Sequence, residues 1–147
     1  MNILFLGTTG IHHTLIAAHL YLGKPEPNNY RDIQFWGDRS SEALGYPIFL
    51  DNDEQSNGVY SLGVGRDVLM AAKSIKQLVE ILNCTERDLM IKPVFIKRER
   101  ILLFLHRIGR VKIVHYLVIP IIAYLIKNEL TGICEQVEEL KSQFRFT

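Results

Sequence analysis

Cysteine is scarce in this chain: there are two, Cys84 and Cys134, and they stand far apart. No CxxC pair and no Cys/His spacing suited to zinc is present, which argues against a structural zinc site or a disulfide scaffold. Net charge is nearly absent as well, at +1 over 147 residues, so the global signature of a nucleic-acid binder is missing. Long apolar runs are also lacking. The longest, Ile113 to Ile126, takes in His115, Tyr116, Pro120 and Tyr124 and stops at 14 residues. A spanning helix needs roughly 20, so the run reads as a buried helix of a soluble protein and no membrane span is expected. The opening Met1-Asn2-Ile3-Leu4-Phe5-Leu6-Gly7 lacks the basic segment of a secretion signal. Taken with cysteines that look reduced, this gives the expectation of a cytoplasmic protein.

The 48% hydrophobic and 22% charged residues are ordinary globular values and exclude intrinsic disorder. The length fits one domain, residues 1–147. Charge is unevenly spread, however. Residues 26–67 hold eight acidic residues and three arginines, a net of −5. Residues 92–112 hold seven basic residues against Glu99, a net of +6. Such a split suits an acidic ligand or partner, and equally two solvated faces that attract one another within the fold.

Apolar periodicity alternates between strand and helix. Ile3 to Leu6 is a short continuous apolar run closed by Gly7, as a buried strand requires. A helix follows from about His12 to Leu22, stopped by Gly23 and Pro25. Ile33 to Trp36 reads as a second strand, Gly37 to Ser41 as a turn, and Pro47 to Leu50 as a short strand. Asn57-Gly58 marks a hairpin into Val59–Val64. Arg66 to Asn83 reads as a helix with core positions Val68, Leu69, Ala72, Ile75, Leu78, Val79 and Leu82. Leu89 to Ile96 is an edge strand because of Pro93. Helices are expected over 98–108, 111–127 and 133–144. The fold class is therefore α/β: a small, mostly parallel sheet with one hairpin and flanking helices, a P-loop- or Rossmann-like three-layer sandwich. Residues 1–97 would form the α/β core. Residues 98–147 would form a helical part that covers one face or makes a dimer contact.

The first strand–turn–helix, Gly7-Thr8-Thr9-Gly10-Ile11-His12-His13-Thr14, carries the most chemical information. Glycines after a strand let backbone N–H groups face outward, and a helix N-terminus adds partial positive charge, so the turn can hold an anion such as phosphate. Laid on the phosphate-loop pattern, Gly7 matches the first glycine and Thr14 the last hydroxyl. His12 and His13 replace the second glycine and the lysine, so ordinary nucleoside-triphosphate hydrolysis is not expected. A plain glycine-rich βα turn explains the same residues. Adjacent histidines diverge on a helix and make no ready metal pair; either suits proton transfer beside a bound anion, while His19 reads as packed and hydrogen-bonded. The stretch Asp51 to Gly58 fails the calcium-loop pattern, with Gln55, Ser56 and Leu62 at ligand or glycine positions, and reads as a polar hairpin loop. Neither cysteine has a histidine nearby in sequence to make it a nucleophile. The helix beginning near Arg98 would turn Ile101, Leu102, Leu105 and Ile108 to the core, leaving Arg100, Arg107 and Arg110 for phosphates or an acidic partner. No cofactor can be named from these residues.

His13-Thr14, Ala17-Ala18-His19-Leu20-Tyr21-Leu22-Gly23, Asp53-Glu54, Asn57-Gly58-Val59-Tyr60 and Leu62-Gly63 resemble a Firmicute family known only as domain of unknown function 3189. The resemblance covers roughly residues 1–110. The family's turn runs Gly-Gly-Thr-His, where this chain has Thr8-Thr9-Gly10-Ile11-His12-His13; His13, followed by a hydroxyl residue, is the favoured equivalent. The resemblance implies a bacterial cytoplasmic protein, of a spore-former, and no activity.

Two functions fit. The first is recognition of an anionic small molecule, phosphate-containing or nucleotide-like. Gly7, Thr8, Thr9, Gly10, His12, His13 and Thr14 would form the site, with Asp38 or Asp53 approaching from neighbouring loops and His13 stabilising charge or moving a proton. The second is a non-enzymatic regulatory or scaffold protein, a homo-oligomer acting through the 92–112 basic segment and the 113–126 helix.

Overall fold

A computed structural model describes residues 1–85 and 87–145, with the side chains of 144 and 145 excepted. Strand β1 (Asn2–Gly7) lies between β3 (Gly58–Gly63) and β4 (Leu89–Pro93), and β2 (Ile48–Asn52) adds outside β3, giving the order β2-β3-β1-β4. β1 runs parallel to both neighbours, with Leu6 opposite Leu62 and Pro93. β2 and β3 form the expected antiparallel hairpin around 53–57. The sheet is therefore mixed rather than wholly parallel. Pro93 closes an edge strand, as anticipated.

β1 explains its own unbroken apolar composition. Ile3 and Phe5 enter a core built with α1 (His13–Tyr21), α4 (Glu99–Ile108) and α5 (Lys112–Arg145). Leu4 and Leu6 point the other way, against Val68 and Ala72 of α3 (Val68–Ile81). Successive strand residues face opposite sides, so a strand covered on both must be apolar throughout.

Several local expectations fail for physical reasons. Ile33–Trp36 forms no strand. It follows a 3-10 turn, Tyr30–Asp32, and Phe35 takes φ +68°, which no strand accommodates. Instead Trp36 stacks on Tyr30, ring centres 4.9 Å apart. The supposed turn at 37–41 contains a short helix, α2 (Arg39–Ala43), started by Asp38, whose side chain accepts from Ser40 N and Ser41 N. On α3, Leu69, Leu78 and Leu82 are exposed and the deeply buried residues are Val68 and Ala72. On α4, Leu102 and Leu105 are buried while Ile101 is half exposed.

The last third forms two helices, not three. α5 runs unbroken from Lys112 to Arg145. A helical glycine such as Gly132 costs about 1 kcal/mol, and burial of Ile133, Val137 and Leu140 just beyond it outweighs that. The 113–126 stretch is not the fully buried helix expected. Val118, Ile122, Leu125 and Ile126 enter the core, while Ile113 is 81% and Tyr116 77% exposed. By length and composition alone, Lys112–Gln143 would also suit a membrane crossing, but here one side of it is committed to the α/β core.

This sidedness is testable. Ile126→Ala should cost about 2–5 kcal/mol in urea unfolding, and Leu117→Ala within about 0.5 kcal/mol of nothing. Equal costs would mean that α5 packs on a different side.

Candidate functional site

The chain leaves β1 for α1 on one face of the sheet and leaves β3 for α3 on the other. The carboxyl ends of these adjacent parallel strands, Gly7 and Gly63, therefore open a crevice between diverging loops, the place where α/β sheets bind ligands. The turn after β1 folds across this end. Val64 N donates to Gly7 O at 2.9 Å and Gly65 N to Thr8 O at 3.2 Å, extending the pairing beyond the strands. Ser61 Oγ lies 2.7 Å from Gly10 O and 2.9 Å from Thr14 Oγ1, and the Thr14 hydroxyl donates to Thr9 O. Gly10 has no room for a side chain: a Cβ there would stand 2.7 Å from Gly63 N.

Two adjoining hollows occupy the crevice mouth. One, of about 580 Å³, is lined by Thr8, Arg66, Glu99, Arg100, Phe104 and Arg107 among others. The other, of about 470 Å³, brings in Arg39, Glu42, Gly63, His106 and Arg110 and shares Thr8, Leu103 and Arg107 with the first. Five arginines thus face two carboxylates. Among the described residues, none of Arg66, Arg100, Arg107 and Arg110 has a carboxylate partner within ion-pair distance. Arg39 uses one Nη2 hydrogen on His106 O, and its guanidinium is held below its ordinary value chiefly by burial, with Arg110 adding to this and Glu42 opposing it.

Behind the hollows lies a layer of buried polar groups. His12 sits edge-on to Trp36 and His106, at ring separations of 5.1 and 5.7 Å. His13 Nε2 is 3.9 Å from Glu99 Oε1, too long for a hydrogen bond. The side-chain polar atoms of Thr8 and Thr9, Nδ1 of His12, both ring nitrogens of His13 and Oε1 of Glu99 are buried without hydrogen-bond partners. Burial pushes the Glu99 carboxyl up, and the nearby Thr8 hydroxyl offsets part of this without making a bond of normal geometry. Burial lowers His13 to about 4, against the opposing pull of the Val94 backbone and Glu42. His12 is driven down by burial first, then by His106, His13, Arg39 and His115. At neutral pH the site thus offers guanidinium charge, uncharged His12 and His13 rings and a carboxyl that retains its proton more readily than usual. Among the described residues no group of three or more His, Cys, Asp or Glu is placed to hold a metal ion.

Of the residues singled out in the sequence, Gly7, Thr8, Thr9, Gly10, His12, His13 and Thr14 lie together here, with Thr8 lining both hollows and His12, His13 and Thr14 buried beneath. Asp38 is not in the crevice lining; it caps α2 and accepts from both Ser40 and Ser41 hydroxyls. Asp53 lies at the opposite end of the strands, where it accepts from Gln55 N, Asn57 N and Tyr21 Oη. It borders a separate hollow of about 390 Å³ with Gly23 and Lys141. Residues not assigned from the sequence are Arg39, Glu42, Gly63, Gly65, Arg66, Glu99 and His106. The run Gly63-Val64-Gly65-Arg66, a second glycine-bearing turn after a strand, was the readable signal for part of this set.

The buried histidines predict a pH response. The unfolded chain takes up protons below about pH 6.5, whereas folded His13 resists them until about 4. Stability is therefore complete above pH 6.5 and falls as pH drops from there towards 4. His13 alone should cost about 2 kcal/mol between pH 7 and 5, read as a fall in the urea midpoint. His13→Asn should flatten that slope; an unchanged slope would show that His13 is readily protonated in the fold.

No curated protein and no solved structure shows significant similarity to the chain. A family model matches residues 2–142, nearly the whole length. The chain belongs to the family described as Protein of unknown function (DUF3189).

Proposed function

We propose that this protein binds a phosphate-containing, nucleotide-like small molecule in the crevice at the carboxyl ends of β1 and β3. The observation that carries the reading is the convergence of Arg39, Arg66, Arg100, Arg107 and Arg110 on two hollows that share Thr8, four of these arginines lacking a carboxylate partner among the described residues. Guanidinium groups match phosphate oxygens in pairs and hold them better than isolated lysines. Helices on both faces, with connections diverging at this point, support a doubly wound, Rossmann-like reading of the fold, in which the crevice is the expected ligand position. The glycine turn contributes shape and backbone. The charge comes from α4 and the turn that follows it, from the turn after β3, and from the first residue of α2.

Thermal-shift and calorimetric titration with phosphate, pyrophosphate and nucleotides tests this. A ligand at 100 times its Kd should add about 2.7 kcal/mol of stability. Arg66→Ala and Arg107→Ala should each weaken binding at least about tenfold, as the loss of one charge-assisted contact of about 1.5–3 kcal/mol requires. Binding indifferent to both substitutions, or absent from the whole panel, refutes the reading.

A second reading, regulation or scaffolding by a homo-oligomer, draws on the apolar face that α5 leaves exposed at Ile113, Tyr116, Leu117, Ile121 and Tyr124. On that reading the protein sediments as a dimer and Leu117→Glu with Tyr124→Glu returns it to a monomer. A wild-type monomer at tens of micromolar excludes it.

A further inference from the structure

Building on the anion-binding reading above, we propose that the Glu42 carboxylate occupies a phosphoryl seat, and that a ligand's terminal phosphoryl group takes this seat when Glu42 withdraws. Glu42 Oε1 accepts from Gly10 N at 2.7 Å and Oε2 lies 3.1 Å from His106 Nε2. The same Oε1 lies 2.5 Å from where a Cβ on Gly63 would stand, so only glycine at 63 leaves space for it. Arg39 is close enough to feel the Glu42 charge, and Arg110 lines the same hollow. A backbone N–H and an imidazole nitrogen contact the carboxylate, and two guanidinium groups line the same hollow; these are the donor types of an anion seat. In this structure the anion is supplied by the chain itself.

Two independent observations point past the carboxylate to a ligand. Thr8 lines the same hollow and is 6% exposed, and its hydroxyl is buried close to Glu99 with no hydrogen bond of normal geometry. A carboxylate has two oxygens, and here both are engaged; a terminal phosphoryl group has three, and the third would meet Thr8. The element that carries Glu42 is also lightly held. α2 has five residues, none of them buried, and ends at Leu44 and Gly45, the latter at φ +70°. Elements with few buried contacts open at little cost. The ligand class is therefore a phosphomonoester or polyphosphate whose terminal group lies between Gly10, Thr8 and His106, with its remainder reaching the hollow of Arg66, Arg100 and Arg107.

Inorganic phosphate is the probe, titrated into the full chain by calorimetry and followed at the Gly10 amide by 15N NMR. Glu42→Ala and Glu42→Gln should bind phosphate at least tenfold tighter than wild type, with the Gly10 signal moving on addition. Glu42→Gln keeps an oxygen for Gly10 N and the side-chain shape, so it reports even where the alanine variant fails to fold. Asp67→Asn removes an exposed carboxylate next to Arg66 without freeing Gly10, and should leave the Gly10 response as in wild type. His106→Ala in the Glu42→Gln background should abolish the gain. Phosphate affinity unchanged in both Glu42 variants, with wild-type binding still dependent on Arg66 and Arg107, overturns the seat and leaves the cleft reading intact. An equal gain in Asp67→Asn also overturns it, since general charge removal would then be the cause. No phosphate binding by any form overturns both.

Discussion

The constraint on which the crevice depends is the close approach of Gly10 to Gly63. The turn after β1 passes so near the end of β3 that a methyl group on Gly10 would press on Gly63 N and one on Gly63 would press on Gly10 N and Thr9 C. Close-packed interiors do not absorb such contacts without shifting backbone. Two backbone hydrogen bonds and the Ser61 hydroxyl fix the turn in this position. From this follow the burial of His12, His13 and Thr14 under the turn, the space that Glu42 fills, and the crevice between loops bound for opposite faces. Helix α1 starts here without a side-chain cap, so tertiary contact, rather than local capping, sets where it begins.

The layer under the crevice is costly. A buried polar group without a partner costs on the order of 1–3 kcal/mol, and Thr8, Thr9, His12, His13 and Glu99 all carry such atoms within one region. Asn57, Ser61 and Thr14 are buried and bonded, while Tyr30 Oη, Trp36 Nε1 and His106 Nδ1 also lack partners. Unmet polarity gathered at one end of a sheet, beside unmatched arginines, is what a site looks like when its affinity is meant for something other than the protein itself.

Much of the architecture was legible because it depends on neighbours in sequence. β1 announced itself by an apolar run closed by glycine, the hairpin by Asn57-Gly58, and the β4 edge by Pro93. The failures are tertiary. Trp36 is apolar because it packs against Tyr30 and His12 and Ile33 because it joins the core, not because they pair in a sheet. The Asp38 cap was present in the sequence, but its helix is too short to show a period. Residues 128–132 looked like a break, yet distant core contacts carried α5 through them. Leu69, Leu78 and Leu82 follow helical spacing but lie on a face of α3 that the sheet does not reach.

The site was half legible for the same reason. Residues 7–14 are contiguous, and their place at a strand end could be read directly. Their charged counterparts come from α2, α4 and the turn after β3, which meet only once the sheet has formed. The uneven charge was the remote sign of this. Its simplest explanation was that the acidic 26–67 and basic 92–112 stretches neutralise each other. The structure shows instead that Asp38 and Asp53 are spent on a helix cap and a hairpin loop, and that Asp51 pairs with Lys24. Among the described residues, the side-chain ion contact joining the two stretches is Glu42 with His106. The arginines around it keep their excess charge at the mouth of a crevice, where like charges repel until an anion arrives. An acidic stretch that leaves the basic one uncovered, save for a single carboxylate in the hollow, does not serve surface balance, and it is on this imbalance that the proposed anion-binding reading rests.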